Sequence, residues 1–469
     1  MAIGAVARTG RERAAVEAAI GRLAARFGDR LSVGLAVREQ HGHTTSWLAN
    51  QPPDAVVFAE TTEEVAEIVR ICAAERVPVI PFGTGTSLEG HLNAPSGGIS
   101  IDLARMNRVV AVHAEDLDCV VEAGITRKAL NEHLRDVGLF FPIDPGADAS
   151  LGGMAATRAS GTNAVRYGTM RDNVVSLTAV TADGTVVRTA RRARKTSAGY
   201  DLTRLLIGSE GTLGIITELT LRLQGIPEAI VSGICPFPTV RQACDAVILT
   251  IQSGIPVARI ELLDADAIRA TNGYSKLSLD ETPTLFVEFH GSPAGAAADA
   301  ERFGEIAAEI GGGPFVSASR PEDRTRLWQA RHDAYWAGRS LRPGTMPLST
   351  DVCVPISRLA DCVAETAADI AELGLVTTIV GHVGDGNFHV LVMVDMASPA
   401  EVPATERFLE RLAHRAIAMD GTCTGEHGVG QGKMKYLPAE LGPAVDMMRA
   451  VKRALDPDNI LNPGKIFAL

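Results

Sequence analysis

Two histidines separated by a short turn pattern give the sharpest chemical signal in this chain. His382 and His389 flank Asp385-Gly386, a dipeptide typical of a two-residue hairpin turn. Such a turn pairs His382 with His389 across the ladder, with both imidazoles on one face and Cβ atoms roughly 4.5–5.5 Å apart. Two imidazoles in that position can converge on one divalent metal. The alternative is two histidines that are only packed or solvated on a sheet.

A Glu-His pair in the glycine-flanked turn 425–430 could complete this site. Glu426 offers a carboxylate as a third ligand, and the adjacent His427 is left as a base. Two histidines and one carboxylate with open positions are typical of a catalytic metal centre rather than a closed structural one. A solvated Glu-His pair on a loop is the alternative.

Three glycine-rich stretches lie next to predicted strands, at 81–90, 145–168 and 208–216. Glycines allow consecutive backbone N–H groups to close around an anion, and hydroxyls add donors, so the first stretch suits a pyrophosphate. It lacks the third glycine of Gly-x-Gly-x-x-Gly, because Leu88 stands there, and it lacks the lysine of a P-loop. An ordinary loop therefore remains an alternative.

Arginines cluster around a predicted helix at 321–340. Most such charges are solvated, but the planar fork of one of them could bind a carboxylate in two places. The cluster consists of Arg320, Arg324, Arg326, Arg331, Arg339 and Arg342.

Composition excludes several classes of protein. The 469 residues suffice for about two or three domains. A net charge of −11 argues against nucleic-acid binding, although a few local cations could still bind a small anionic substrate. No apolar run approaches the roughly 18 residues of a membrane helix, so no transmembrane segment is expected. Hydrophobic residues at 46% and charged residues at 22% are ordinary globular values, which excludes a disordered chain.

Cysteine usage and the amino terminus bear on location. Seven widely spaced cysteines without a Cys-x-x-Cys pair indicate neither a disulfide framework nor a cysteine-type zinc site. The Ala- and Arg-rich first residues lack the apolar core of a signal peptide, with a transit peptide as the alternative. We expect a cytoplasmic protein, or one bound peripherally at the inner face of a membrane.

Local patterns predict the elements that must position these residues. A helix is predicted over 9–27, and Thr61 with Glu64 forms a capping-box pattern that opens a helix ending near residue 74. Short strands and glycine loops to about residue 225 predict an α+β domain with a hairpin at Asp183-Gly184. Two successive β-α-β-β-α patterns follow and predict an antiparallel sheet with helices on one face. The expected domains are a helical lead-in at 1–51, an α+β domain at 52–226, a second domain at 227–419 and a carboxyl-terminal segment at 420–469.

Seven motifs in this order make the sequence similar to the FAD-linked D-2-hydroxyacid dehydrogenases of the vanillyl-alcohol oxidase/PCMH superfamily, in particular to members that oxidise D-lactate. The resemblance implies an α+β fold with a PCMH-type FAD-binding domain of two subdomains. It also implies a cap domain of antiparallel sheet with helices on one face, and a carboxyl-terminal segment that returns to the FAD domain. The motifs lie at 81–90, 145–168, 208–216, 349–355, 381–389, 425–430 and 459–465.

The resemblance also implies roles for particular residues. His382, His389 and Glu426 would bind one divalent metal, zinc or manganese. His427 would be the base, and Arg331 would bind the substrate carboxylate. Dissociable, non-covalent FAD is expected, lined by Phe82, Gly83, Thr84, Gly85, Thr86, Ser87, Pro145, Gly146, Gly152, Gly153, Gly161, Gly168, Glu210, Gly211, Ile216 and Asn462.

The implied reaction removes a proton from the hydroxyl of a 2-hydroxy acid and a hydride from its C2. Relatives that take 2-hydroxyglutarate carry a Lys and an Asn where this chain has Ser349 and Leu391, and no lysine occurs between Lys276 and Lys433. We therefore favour D-lactate or a similar small monocarboxylate. Met346 stands where some lactate-type relatives have a lysine, which leaves the far end of the pocket undecided. D-2-hydroxyglutarate dehydrogenase and the flavin subunit of a glycolate oxidase are the alternatives.

Two other classes compete with this hypothesis. A metal hydrolase would explain the histidines and Glu426 but not the glycine loops. A non-catalytic flavin subunit would bind flavin without being reduced by any hydroxy acid. The sequence has no haem motif and no iron–sulfur cysteine cluster, so electrons must leave to a separate carrier such as a cytochrome, a quinone or an electron-transfer flavoprotein. The expected partners are that carrier and a small anionic 2-hydroxy acid, and a homodimer is compatible with the sequence.

Overall fold

The computed structural model describes residues 10–44, 47–318 and 320–469. The chain forms two compact units. The first unit contains the residues up to 160, residues 168–226 and residues 426–469, and the second contains residues 161–167 and 227–425. The domain limits drawn from the sequence stay a prediction. The transit-peptide alternative concerns the amino terminus, of which residues 1–9 lie outside the described residues.

One sheet of the first unit is built around parallel strand pairs. Helix Thr62–Glu75 begins as the capping-box pattern predicts, because the Thr61 hydroxyl accepts a hydrogen bond from the backbone N–H of Glu64. Together with helix Gly10–Phe27 it buries its apolar face in the core over this sheet. In spatial order the strands are Leu31–Ser32, Ala55–Phe58, Ile99–Asp102 and Val79–Phe82.

A second sheet of the first unit is antiparallel and has its own core. The predicted hairpin is confirmed: Gly184 has a φ of +77° and the backbone N–H of Thr181 donates to the carbonyl of Thr185. Its strands are, in spatial order, Val109–His113, Asp118–Glu122, Ile215–Arg222, Val174–Val180 and Val186–Arg188. Around the two sheets lie helices Leu35–Gly42, Arg127–Leu134, Leu151–Thr157, Met170–Asn173 and Leu202–Leu206, and the short pair Leu139–Phe140 and Gln224–Gly225.

The carboxyl-terminal segment returns to the first unit, as predicted. It contains helices Leu437–Leu441 and Ala444–Leu455. Leu461 forms a parallel bridge to Val79 at the end of the first sheet. The buried Lys452 ammonium donates to the carbonyl oxygens of Thr212 and Leu461, 2.8 Å from each. These buried contacts hold the segment in place.

The second unit contains one antiparallel sheet, which confirms the sheet predicted for the cap domain but not the restriction of its helices to one face. The short strand Val352–Cys353 also pairs with part of Asn387–Val394. In spatial order the other strands are Val316–Ala318, Ala229–Pro236, Thr284–Gly291, Val257–Leu263, Thr377–Gly381, Asn387–Val394 and Met346–Ser349.

Both faces of this sheet carry helices, because strand residues alternate between two apolar cores. Leu285 and Val287 face one core and Phe286 faces the other. The predicted one-sided arrangement holds for the long helices Val240–Gln252, Pro293–Glu309, Leu359–Leu373 and Glu401–Ala418. The opposite face is covered by helices Ala265–Ser275 and Pro321–His332, with Ala334–Ser340 packed against the first of these and Ala164–Tyr167 against strand Val257–Leu263.

The first of these opposite-face helices was not expected from the sequence, since its Ala-, Asn- and Gly-containing residues give a weak apolar pattern. Among the described residues, no helix is both long and apolar enough to cross a membrane.

Candidate active site

The hairpin that carries the two histidines differs from the predicted one. The connection is a short 3-10 turn, Val383–Asp385, followed by Gly386 at φ +79°. Val380, rather than His382, lies opposite His389, so the predicted register is wrong by two residues. The cause is tertiary. Gly386 packs so closely against strand Val352–Cys353 and its continuation that a Cβ there would lie 2.0 Å from the Val354 carbonyl oxygen.

The two imidazoles nevertheless meet, with ring centroids 5.3 Å apart and planes at 80°. A register shift of two residues keeps side-chain parity, so both rings remain on the same face. The Nδ1 of His382 donates to Oε1 of Glu261 at 2.7 Å, and the Nδ1 of His389 donates to the Thr350 carbonyl at 2.9 Å. A neutral imidazole that donates through Nδ1 carries its lone pair on Nε2, which is how metal-binding histidines are oriented.

Glu261 is the residue that sequence reasoning missed. Its side chain is fully buried, and its Oε2 accepts from Nε and Nη2 of Arg331 at 3.0 and 2.6 Å while Oε1 accepts from His382. Burial acts to raise the pKa of Glu261, but the interactions with His382 and Arg331 outweigh burial and hold the pKa below its ordinary value. A signal was present in the sequence: Arg259 and Glu261 alternate with Ile260 and Leu262, so one face of an apolar strand is charged.

Arg331 was predicted to bind the substrate carboxylate. It lies in the last turn of helix Pro321–His332 and is only 8% exposed. Its Nε and Nη2 are used by Glu261, so Nη1 is the guanidinium nitrogen through which it could hold a further acceptor. The structure thus brings Arg331 together with His382 through a carboxylate that the sequence did not single out.

A second carboxylate–histidine pair lies on the same face of this sheet. Glu288 accepts from the Ser232 hydroxyl at 2.6 Å and from Nε2 of His290 at 2.7 Å. The Tyr167 hydroxyl is 2.8 Å from Nδ1 of His290. Burial acts to raise the pKa of Glu288, but hydrogen bonding by His290 and the charge of Arg259 lower it to about 2. This pair joins strands Ala229–Pro236 and Thr284–Gly291 to the 161–167 segment of the second unit.

Glu426 and His427 lie in the first unit, at the start of its carboxyl-terminal segment. The Ser160 hydroxyl donates to Oε2 of Glu426 at 2.8 Å. Nε2 of His427 is 4.0 Å from Oε1 of Glu426, and both side chains are 12% exposed. Within this unit the carboxylate predicted to bind metal and the predicted base are therefore adjacent and mostly buried.

Glu210 fastens the loop that follows these two residues. Its carboxylate accepts the backbone N–H of Val429 at 2.7 Å and that of Gly430 at 2.8 Å, and it lies 3.4 Å from Nε2 of His91. Burial acts to raise the pKa of Glu210, but the neighbouring His91 and the two amides hold it below its ordinary value. The Asn462 amide donates to the carbonyl oxygens of His91 and Glu210. Glu210, expected to line the cofactor, thus uses its carboxylate on the loop that follows Glu426 and His427.

The three glycine-rich stretches converge within the first unit. A Cβ on Gly83 would lie 2.2 Å from the Ser150 hydroxyl, and one on Gly153 would lie 3.0 Å from the same atom. Gly211, at φ +73°, packs so closely on Pro81 that a Cβ would be 2.4 Å from its ring. These glycines are required for close packing, because any side chain would separate the stretches.

The first stretch has the features of an anion cradle. It follows strand Val79–Phe82, and Gly85 has a φ of +72°. The backbone N–H of Ser150 donates to the Thr84 hydroxyl at 3.4 Å, and the Thr84 and Thr86 hydroxyls are 3.4 Å apart. Within the described part of the chain, the buried Ser87 hydroxyl has no hydrogen-bond partner. A buried hydroxyl of this kind calls for an acceptor, and the phosphate oxygens of FAD would supply one.

The remaining residues predicted to line the cofactor fall into three groups. Gly152 lets helix Leu151–Thr157 approach the Ala123 backbone, since a Cβ would lie 3.0 Å from its carbonyl oxygen. Ile216 is buried in the core beneath the second sheet. Of the other four residues, Pro145 is half-buried and Gly146 is exposed. Gly168 takes a φ of +76°, and Gly161 belongs to the second unit.

Comparisons with known proteins agree with this architecture. Residues 53–190 match the family described as FAD binding domain, and residues 226–466 match the family described as FAD linked oxidases, C-terminal domain. The chain is 53% identical over 471 residues to the probable mitochondrial D-lactate dehydrogenase of Danio rerio, a match that covers 99% of this chain and 95% of that one. It is 51% identical over 416 residues to the mitochondrial D-lactate dehydrogenase (cytochrome) of Arabidopsis thaliana, which covers 88% and 73%.

Solved structures confirm the PCMH-type fold. The crystal structure of p-cresol methylhydroxylase with substrate bound aligns with a TM-score of 0.80 and 18% identity, covering 98% of each chain. At that identity the likeness concerns the fold alone.

Proposed function

The chain belongs to the family of FAD-linked oxidases, and from this premise we propose that it oxidises D-lactate, or a similar small D-2-hydroxy monocarboxylate, to the 2-oxo acid. The observation that carries the proposal is the buried chain of hydrogen bonds from Arg331 through Glu261 to His382. It sets a cation suited to a carboxylate beside a histidine pair suited to a metal. The names of the two similar D-lactate dehydrogenases support the choice of substrate.

We propose His382, His389 and Glu426 as the ligands of one divalent metal, zinc or manganese. The donor set fits, because both histidines donate through Nδ1 and so present Nε2. Gly425 packs against Asn387, which is two residues from His389. Glu426 is the next residue after Gly425, so the Cα atoms of Gly425 and Glu426 are about 3.8 Å apart. When bound, the metal would lower the pKa of the substrate hydroxyl.

We propose the glycine-rich cradle at 82–87 as the site of the FAD pyrophosphate, held without a covalent bond. The Ser87 hydroxyl supplies a donor, and Gly83 and Gly85 let the backbone approach closely. The other residues assigned to the cofactor keep that proposed role. When bound, FAD would supply the hydride acceptor.

The chain's own residues would then orient the acid and take its proton. Arg331 would hold the carboxylate through Nη1 and so help to fix which face of C2 is presented, and hence the D preference. His427 would take the hydroxyl proton at a ring nitrogen. The proton would thus go to His427, and FAD, when bound, would supply the acceptor for the hydride of C2, which balances the oxidation.

A small substrate is favoured by the wall near Ser349. In strand pairing Ser349 lies opposite Leu391, and Leu391 is 4% exposed beneath Gly338. A second carboxylate would meet uncharged side chains here. D-2-hydroxyglutarate and glycolate are the alternatives. Electrons would pass to a separate cytochrome, quinone or electron-transfer flavoprotein, and we place the protein in the cytoplasm or at the inner face of a membrane.

An anaerobic visible spectrum of the FAD-loaded protein tests the proposal. We expect D-lactate to bleach the flavin, L-lactate to leave it oxidised, and a chelator to abolish the bleaching. D-2-hydroxyglutarate and glycolate serve as the competing substrates. A bound flavin that none of these acids reduces would refute the proposal and favour a non-catalytic flavin subunit.

A further inference from the structure

Glu261 bonds two side chains with different proposed roles, the metal ligand His382 and the substrate-binding Arg331. Its side chain is fully buried on strand Val257–Leu263, and each carboxylate oxygen serves a different partner. Oε1 receives Nδ1 of His382 at 2.7 Å, and Oε2 receives both Nε and Nη2 of Arg331. One carboxylate therefore fixes two side chains that come from different parts of the chain.

We propose that Glu261 is a positioning residue that couples the metal site to the substrate carboxylate site. This inference rests on the proposed function, since it takes His382 as a metal ligand and Arg331 as the carboxylate partner. The inference adds to that function the claim that one buried side chain sets both the tautomer of His382 and the orientation of Arg331. Loss of Glu261 must then impair metal affinity and substrate affinity at once.

The reason lies in the hydrogen-bonding chemistry of the carboxylate. A carboxylate only accepts, so it can be satisfied by the Nδ1–H of His382 and by the guanidinium at the same time. In this arrangement the lone pair of His382 is held on Nε2, the nitrogen that a metal would meet. The guanidinium is held by two bonds, from Nε and Nη2, that converge on Oε2, which fixes its orientation and directs Nη1 away from Glu261.

Glu261→Gln changes this pattern with almost no change in volume. The amide oxygen can accept from Arg331, but the amide nitrogen then donates toward His382 and requires Nδ1 to accept. That tautomer carries its proton on Nε2 and cannot bind a metal there. If the amide turns the other way, its N–H groups face the guanidinium and Arg331 is released. Either orientation breaks one half of the arrangement.

The test measures metal binding directly. FAD-loaded protein is stripped of metal and titrated with Zn²⁺ in competition with a chromophoric chelator. Removal of such a supporting hydrogen bond costs about 10–100-fold in metal affinity, and we expect a loss in that range for Glu261→Gln. Bound Zn²⁺ requires Nδ1 of His382 to donate, so the amide oxygen must face His382 and the amide N–H groups must face Arg331. At saturating Zn²⁺ we therefore expect the KM for D-lactate to stay raised by about tenfold or more, because Arg331 is no longer held.

Glu288→Gln is the matched control. Glu288 is also a buried carboxylate bonded to a histidine on the same sheet face, but its partners are His290 and Ser232. We expect this variant to bind Zn²⁺ within about threefold of the unaltered protein. A general loss of stability from removing a buried carboxylate would instead weaken both variants alike.

Two further variants separate the halves and guard against misfolding. Arg331→Met should raise the KM for D-lactate while leaving the Zn²⁺ affinity within about threefold. The pair Glu261→Leu with Arg331→Met leaves Nδ1 of His382 without its acceptor and removes both charges of the buried ion pair, which buried sites tolerate better than the loss of one. This double variant should bind Zn²⁺ more weakly than the unaltered protein does. Weak binding here supports the tautomer argument even if the single Glu261→Gln variant does not fold.

The outcomes distinguish this inference from the proposed function. If the unaltered protein binds no Zn²⁺ or Mn²⁺ and a chelator leaves flavin reduction intact, the metal part of the proposed function fails. If it binds metal and Glu261→Gln binds equally well, the positioning role of Glu261 is refuted and the proposed function stands.

Discussion

Replacing Glu210 with glutamine should loosen the loop that carries Glu426 and His427. The carboxylate accepts two backbone N–H groups, from Val429 at 2.7 Å and from Gly430 at 2.8 Å. Glutamine has one acceptor oxygen, and its NH₂ group would face the second amide as donor against donor. One buried N–H therefore loses its partner, and the charge assistance of both bonds disappears.

The size of the effect follows from these bonds. Leaving a buried donor without an acceptor costs about 1–3 kcal/mol, so we take about 2 kcal/mol for local opening of the loop. Because about 1.4 kcal/mol corresponds to tenfold, amide exchange limited by this opening should become roughly 30-fold faster. Because the pKa of Glu210 is lowered in the folded state, its contribution to stability is present above pH 4.5, the ordinary pKa of a glutamate, and is lost as the pH falls below that value.

Hydrogen exchange of a peptide spanning 425–432 measures this directly, with urea unfolding as a check on global stability. Glu218→Gln is the control, since its half-buried carboxylate on a neighbouring stretch bonds only the Thr178 hydroxyl among the described residues and should leave the loop unchanged. A folded Glu210→Gln variant whose loop exchanges no faster than the control would refute the reasoning.

Two further predictions concern stability and cofactor retention. Asp264 caps helix Ala265–Ser275 by accepting the N–H of Ala267, and burial raises the pKa of Asp264 from 3.8 to about 7. Between these two pH values the unfolded chain releases a proton that the folded chain keeps, so the fold loses stability as the pH rises. Asp264→Asn keeps the cap and should raise the free energy of unfolding at about pH 8 by up to about 4 kcal/mol in urea titrations, whereas an unchanged or lower value would contradict the burial argument. Gly83→Ala would place a Cβ 2.2 Å from the Ser150 hydroxyl, so FAD affinity measured by flavin fluorescence should fall by about tenfold or more. Adding Ser150→Ala should restore most of the FAD affinity, because the remaining Cβ of residue 150 lies 3.4 Å away, and failure to restore it would place the defect elsewhere.

Local patterns predicted those elements whose signals lie within a few residues of one another. The N-cap hydrogen bond from Glu64 to Thr61 and the positive-φ turn at Gly184 were both found where the sequence placed them, although the Glu64 carboxylate accepts the N–H of Glu60 rather than that of Thr61. These features depend on hydrogen bonds that span three or four residues, so composition and spacing suffice to specify them. The antiparallel sheet of the second unit was also predicted, because alternating apolar strands and short turns favour it.

The hairpin of the two histidines shows the limit of such reasoning. The spacing of His382 and His389 predicted that the rings share a face, and that part is confirmed by their 5.3 Å separation. The register was wrong, because Gly386 is fixed against strand Val352–Cys353, some thirty residues earlier in the chain. Parity survives a shift of two residues, whereas turn length is decided by the neighbouring strand.

For the candidate site as well, local sequence determined some features and tertiary structure determined others. The sequence by itself determined the residue types that could hold a metal and a cofactor, and their order along the chain. Only the tertiary structure joined Arg331 to Glu261, which are 70 residues apart, and Glu210 to Val429, which are 219 apart. A buried carboxylate needs donors to offset its desolvation, and those donors come from whichever segments the fold brings next to it. No local pattern specifies that choice, because the energy of the contact depends on burial that exists only once the sheet and helices have packed.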